Sequence, residues 1–166
     1  MTELCQYVDV CISNEEDAKD VFGIEAENTD IYAGEINHEG YKSVARQLAD
    51  KFGFKMVAIT LRESHSAFDN GWSAMLYNVE KDEYCFSKKY NLHSIDRVGG
   101  GDSFGGDSFG GGLIYSLITG KDTQAAVEFA VAASALKHSI EGDYNMVTLA
   151  EVEKLAGGDG SGRIQR

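Results

Sequence analysis

The sequence predicts an α/β fold in which helices flank a mostly parallel sheet. Short segments rich in β-branched residues alternate along the chain with amphipathic helical segments. One of the short segments is apolar throughout its middle, which is typical of a strand buried on both faces of a parallel sheet. The 166 residues are enough for one ordinary domain with its own core.

A strand and a helix are predicted at the start of the chain. Residues 7–13 form a short β-branched segment that ends at a polar turn, as a strand does. Ser13 or Asn14 then caps a helix whose first turn, residues 15–17, is acidic, and acidic side chains suit the positive end of a helix dipole. We expect Gly23 to end this helix.

The middle of the chain is predicted to contain a helix, a buried strand and a hairpin. The helix covers His38–Phe52, where apolar residues recur on one face. Residues 55–61 form the strand with the apolar middle. Residues 72–79 and 84–87 are predicted to pair as a hairpin around the polar residues 80–83.

Three helices are predicted in the last third of the chain. The first follows a glycine-rich loop and ends near Ile118. The second, residues 123–139, is rich in alanine, and its small inner side chains allow close packing. Thr148 caps the third helix, with Glu151 three residues later as in a capping box. Residues 157–166 form a polar, glycine-rich tail.

Composition excludes several classes of function. The formal net charge of −12 and the pI of about 4.6 argue against non-specific binding of nucleic acid, which needs a basic face. No apolar run approaches the roughly 18 residues of a membrane helix, and no signal peptide is visible. Cys5, Cys11 and Cys85 are odd in number and form no CxxC pair, which predicts reduced thiols and a cytoplasmic protein.

The glycine-rich loop is the strongest candidate site. It reads GGDSF twice, at residues 100–104 and 105–109, directly before the predicted helix. Glycine amides at a helix N-terminus form an anion site, and an aspartate there fits a general base beside an anion hole. The alternative is a flexible loop with an N-cap aspartate. A Walker A loop is excluded, and a GxGxxG motif fails at Phe104.

Residues 96–104, DRVGGGDSF, resemble the DxxGxGD signature of the ribokinase-like carbohydrate kinases. Residues 13–17, SNEED, are similar to the NxxE element of that family, with Asp17 where glutamate is usual. Residues 59–63 are similar to its segment approaching the nucleotide. The stretches NEED and DRVGGGDSF and the tail, residues 157–166, look most like the 2-keto-3-deoxygluconate kinase branch.

The resemblance implies a ribokinase-like three-layer αβα fold that is incomplete. Residues 1–166 would form a single partial domain, the nucleotide-binding and catalytic half of a sugar kinase. A family member is about twice as long, and its amino-terminal half carries most of the sugar pocket and a β lid. Exposed apolar surface where that half would pack predicts self-association or binding of a complementing half.

The resemblance also implies a reaction and its residues. The expected reaction transfers the γ-phosphoryl group of ATP to a hydroxyl of a sugar acid, with Mg²⁺ present. The anion hole would be formed by Gly99, Gly100, Gly101, Gly105 and Gly106. Asn14, Glu16 and Asp17 would bind Mg²⁺. The alternative is that they only form the capped first turn of a helix. The nucleotide would be bordered by Thr60, Arg62, Ala132, Ala133 and Lys137. For the last three, core packing is the favoured alternative, and for Thr60 and Arg62 the alternative is a strand end and a solvated arginine.

Two aspartates compete for the role of catalytic base. Counting forward from Asp96 selects Asp102, which follows a complete glycine triplet. Counting backward from the helix selects Asp107, because Phe109 and the apolar residues four and eight positions later share one helix face. Placement on the helix favours Asp107, and the triplet favours Asp102.

Two other functions are compatible with the sequence. One is a nucleotide-binding or structural fragment without turnover, since half of the expected kinase is missing and its loop is duplicated. The other is a dinucleotide-binding α/β domain, against which the failed GxGxxG motif argues.

Overall fold

The computed structural model of the chain describes residues 1–25, 38–96 and 106–158. In these residues helices and strands alternate, which confirms the predicted α/β class. The helices are α1 (Thr2–Cys5), α2 (Glu15–Phe22), α3 (His38–Phe52), α4 (Phe109–Ile118), α5 (Thr123–Lys137) and α6 (Leu149–Gly157). The strands are β1 (Val10–Asn14), β2 (Met56–Ser64), β3 (Asp69–Asn78), β4 (Glu83–Phe86) and β5 (Tyr90–His93).

The described sheet is mixed. Its hydrogen-bonded order is β1-β2-β3-β4, and β5 pairs with β3. Strands β1 and β2 are parallel, with Val10 opposite Met56 and Asn14 opposite Thr60. Strands β3 and β5 are antiparallel, with Asn70 opposite Leu92. The antiparallel pair adds a short strand, β5, to the elements predicted from sequence.

The chain divides into two compact units. The first comprises Met1–Leu61 and Ala74–Cys85. In it α2 packs on β1 and on α3. Gly23 ends α2 with a φ of 66°, a left-handed conformation that glycine adopts without strain, as predicted. Helix α3 has the predicted bounds, and its apolar face is buried through Val44, Ala45, Leu48 and Phe52.

The second unit comprises Arg62–Ser73 and Phe86–Arg166. In it α5 packs against both α4 and α6. The core between these helices contains Phe129, Leu136 and Val152. Within the described part of the chain, no helix combines the length and the apolar composition needed to cross a membrane.

Candidate functional site

Asp107 lies on an exposed helical turn that leads into α4. Gly106, Asp107 and Ser108 form this turn in the wide π-helical geometry, and α4 follows from Phe109. Phe109 and Leu113 are fully buried, whereas Gly106 and Asp107 are exposed. The turn therefore presents a carboxylate at the positive end of α4, where negative charge is favoured. Turns of this geometry are frequent at functional sites.

Five predicted site residues lie outside the residues that the structure describes: Asp102, Gly99, Gly100, Gly101 and Gly105. The choice between Asp102 and Asp107 as the base therefore stays a prediction. Gly106 belongs to the helical turn, so the second GGDSF copy is the one that continues into α4.

A side chain from the segment before α6 is bonded to the start of α4. Asn145 Nδ2 donates to Ser108 Oγ at 3.0 Å, and Asn145 Oδ1 accepts from the backbone N–H of Val147 at 3.1 Å. Nothing in the sequence singles out Asn145, because its contact joins residues 37 positions apart. The hydrogen bond holds the residue next to Asp107.

Lys137 is fully buried at the carboxyl-terminal end of α5. Its ammonium group donates to the backbone carbonyl of Gly142 at 2.6 Å and to that of Ile140 at 3.4 Å. Burial lowers the pKa of Lys137, and the negative charges of Asp143 and Asp96 oppose this shift. The backbone N–H of Gly142 donates to Asp96 Oδ2 at 3.0 Å. Lys137 thus holds a turn that is bonded to Asp96, and its nucleotide contact stays a prediction.

Ala132 and Ala133, the other α5 residues predicted to border the nucleotide, lie in the core between the helices. Both are buried in one cluster with Phe129, Leu136 and Val152. This placement is the core packing that the sequence left open as an alternative. A contact of either alanine with adenine stays a prediction.

The predicted metal residues lie in the first unit, at the start of α2. Asn14 Oδ1 accepts from the backbone N–H of Asp17 at 2.8 Å, and Asp17 Oδ2 accepts from that of Asn14 at 3.1 Å. These bonds form a capping box. Glu16 is exposed on the same turn. Among residues 1–25, 38–96 and 106–158, no group of three or more His, Cys, Asp or Glu residues is placed to hold a metal ion.

Thr60 lies beside Asn14 in the register of β1 and β2. Its hydroxyl donates to the backbone carbonyl of Ser13 at 3.5 Å. Asn14 is the last residue of β1, and ligands of α/β sheets bind beyond the carboxyl ends of strands. The first unit thus brings Thr60 and the α2 cap together at such an end.

Arg62 belongs to the second unit and has an exposed side chain. Its Nε donates to Oδ1 of the buried Asn70 at 2.9 Å. Asn70 carries no signal in the sequence, because the contact depends on how β2 and β3 pair. The same unit contains a buried histidine, His138, whose Nδ1 lies 2.8 Å from Ser94 Oγ.

Comparisons with known proteins agree on one family. The profile of the pfkB family carbohydrate kinases matches residues 1–149. The 2-dehydro-3-deoxygluconokinase of Thermotoga maritima is 45% identical, with a TM-score of 0.81 over 94% of this chain. The 2-dehydro-3-deoxygalactonokinase of Haloferax volcanii is 29% identical over 118 residues, 70% of this chain. Arabidopsis thaliana ribokinase, at 21% identity and a TM-score of 0.61 over 96% of this chain, shares the fold.

The chain spans less than half the length of these relatives. It covers 43% of the Thermotoga enzyme, 44% of the Arabidopsis ribokinase and 32% of the Haloferax enzyme. The likeness confirms the ribokinase-like fold class and the resemblance to 2-keto-3-deoxygluconate kinases. The chain belongs to the pfkB family of carbohydrate kinases.

Proposed function

We propose that this chain supplies the nucleotide-binding and catalytic part of an ATP-dependent kinase whose substrate is the sugar acid 2-keto-3-deoxygluconate. The observation that carries the proposal is the 45% identity to the Thermotoga 2-dehydro-3-deoxygluconokinase over 94% of this chain. The exposed carboxylate of Asp107 at the start of α4 supports it. ATP is the proposed phosphoryl donor, and the Arabidopsis ribokinase was solved with ribose and ATP.

Asp107 is the proposed general base, with Asp102 as the competing candidate. The carboxylate takes the proton of the sugar hydroxyl while that oxygen bonds to the γ-phosphorus, and the bond to the ADP oxygen breaks. The backbone amides of Gly106 and of the glycines before it would stabilise the charge on the transferred phosphoryl group. The positive end of the α4 dipole would also stabilise this negative charge.

Mg²⁺ would neutralise charge on the phosphates when bound. The start of α2 fits a contact through water, because Mg²⁺ keeps several of its waters and needs few carboxylates. Glu16 is exposed there, and Asp17 uses Oδ2 for the cap. Glu16 and Asp17 would therefore hold hydrated Mg²⁺, while Asn14 keeps the cap in place.

We also propose that the kinase requires a complementing amino-terminal half. Strand β1 ends the described strand order, and α1, β1 and the residues between them expose a set of apolar side chains. These are Met1, Leu4, Tyr7, Val8 and Ile12. A complementing half would cover this apolar surface. The chain alone would self-associate through it, and light scattering would then give a mass above that of the monomer.

The three cysteines are present as thiols, which supports the cytoplasm as the compartment.

Isothermal titration of the chain with Mg·ATP tests the nucleotide function. We expect binding to the wild-type chain, and tighter binding to whichever of Asp107→Asn and Asp102→Asn removes the carboxylate facing the γ-phosphate. Asp50→Asn, an exposed position on α3, is the matched control and should bind like wild type. Failure of Mg·ATP to bind, or tighter binding of NAD, would contradict the proposal. Binding without turnover after addition of a complementing half would favour a nucleotide-binding fragment.

A further inference from the structure

Asn70 fixes the direction of the Arg62 guanidinium. Arg62 Nε donates to Asn70 Oδ1 at 2.9 Å, and Asn70 is 3% exposed whereas Arg62 is exposed. Within the described parts of the chain, this is the one hydrogen bond of the Arg62 side chain. A guanidinium only donates, and its two Nη groups bond to none of the described residues, so they can donate to an acceptor outside the protein.

Asn70 is itself held in a rigid setting. It lies opposite Leu92 in the β3–β5 register, and Trp72, two residues later, shares its face of the sheet. The Trp72 and His138 rings lie 5.9 Å apart, and His138 is bonded to Ser94. Leu92, Trp72, His138 and Ser94 are all buried. Asn70 therefore has little freedom to move away from Arg62.

No acidic side chain among residues 1–25, 38–96 and 106–158 neutralises the charge of Arg62. No ion pair joins Arg62 to a carboxylate in the described residues, and the neighbouring Glu63 is engaged by Lys89 at 3.2 Å. His138 stays uncharged near neutral pH, because burial and the charges of Arg62 and Lys137 lower its pKa to about 4. In a chain of net charge −12, an exposed, oriented arginine that pairs with no described carboxylate is suited to a bound anion. Its planar fork matches a phosphate group.

We infer that Asn70 is a positioning residue that aims Arg62 at the phosphate chain of the nucleotide. This inference rests on the proposed function in one respect, namely that the anion is the phosphate chain of ATP. Arg62 touches the ligand, and Asn70 acts through Arg62.

The test is a double-mutant cycle read by isothermal titration with two probes, inorganic tripolyphosphate and Mg·ATP. We expect Arg62→Gln to weaken binding of both probes about tenfold or more, as for a lost charge-assisted hydrogen bond. Asn70→Leu should weaken both about as much in the wild-type chain and change nothing further in the Arg62→Gln chain. Asn91→Leu, an exposed position on β5, is the control and should bind like wild type.

The outcomes separate the inference from the proposed function. Binding of tripolyphosphate but not of ATP, with the expected cycle, would support the anion site and overturn the kinase proposal. Binding of both probes that is insensitive to Arg62→Gln would overturn the inference alone. An equal loss from Asn70→Leu in both backgrounds would show a structural role and also overturn it. If Asn70→Leu does not fold, Asn70→Ser, which shortens the side chain, completes the same cycle.

Discussion

Gly112 of α4 lies against Ala130 of α5 so closely that a Cβ added at Gly112 would be 3.0 Å from Ala130 Cα. The same Cβ would be 3.1 Å from the Cβ of Ala133. The neighbouring Gly111 is exposed and has open space at its Cβ position. Of these two adjacent glycines, only Gly112 is required by the packing of α4 against α5.

Alanine substitution should separate these two glycines. Gly112→Ala is expected to lower the free energy of unfolding by about 1–3 kcal/mol, because the added methyl group forces α4 and α5 apart. Gly111→Ala should raise it by up to about 1 kcal/mol, because alanine is the better helix former. Urea unfolding followed by circular dichroism measures both. Equal effects at the two positions would show that the α4–α5 approach is looser than described.

Substitution of Asn14 should separate its cap role from a metal role. Asn14→Ala is expected to lower the free energy of unfolding by about 1 kcal/mol, and Asn14→Ser to leave it nearly unchanged, since serine is also a good N-cap. Mg·ATP titration of Asn14→Ser is the second readout. Binding equal to wild type is expected if Asn14 only caps α2, whereas a loss would assign it a direct contact with the metal or nucleotide.

Burial of His138 should make stability fall in mildly acidic solution. Its pKa is about 4 in the folded chain, against 6.5 for an ordinary histidine, so the unfolded chain binds the proton first as the pH falls. The free energy of unfolding therefore has its full His138 contribution above pH 6.5. This contribution declines between pH 6.5 and about pH 4, and it does not change further at lower pH. Between pH 6.5 and 5 the loss is about 2 kcal/mol.

Urea unfolding at a series of pH values measures this dependence. His138→Gln should remove most of the slope between pH 6.5 and 5, whereas Asp69 and Asp82, whose pKa values are lowered, still contribute nearer pH 4. His65→Gln, at an exposed position, is the control and should keep it. A slope that persists unchanged in His138→Gln would assign the pH dependence to other groups.

Lys137→Met should destabilise the chain. The substitution keeps the apolar stem but leaves the backbone carbonyls of Gly142 and Ile140 without the ammonium donor. Loss of a donor to one buried and one half-buried acceptor costs about 1–3 kcal/mol. Lys154→Met, at an exposed position on α6, should have little effect on the same thermal unfolding measurement. Equal midpoints for the two variants would contradict the role of Lys137 in holding the turn.

Local features of this fold could be predicted from sequence, and long-range ones could not. The α3 bounds, the α2 cap predicted at Ser13 or Asn14, and the Thr148 capping box depend on residues within one or two turns, so their patterns are visible in the chain. Strand β5 was not predicted, because its four residues are too few to show a clear alternation of apolar and polar side chains. Its conformation depends on pairing with β3.

The candidate site divides in the same way. Asp107 and Asp102 could be proposed as alternative bases because the glycine repeat and the apolar spacing of α4 lie side by side in the chain. The Asn70–Arg62 and Gly142–Asp96 hydrogen bonds require strand register and chain reversal, the second joining residues 46 positions apart. The first contact depends on the pairing of β2 with β3 and the second on a long-range chain reversal, so both became visible only in the structure.

The GGDSF repeat, whose second copy forms the helical turn at Gly106–Ser108, can be shortened to one copy by a five-residue deletion. Removing either GGDSF copy yields the same sequence, so a single deletion product exists. In that product Asp96 stands six residues before the remaining aspartate rather than eleven, while the start of α4 keeps its Gly-Gly-Asp-Ser-Phe order. The duplication thus adds five residues to the segment between Asp96 and α4, and the activity of the shortened chain would show which segment length catalysis requires.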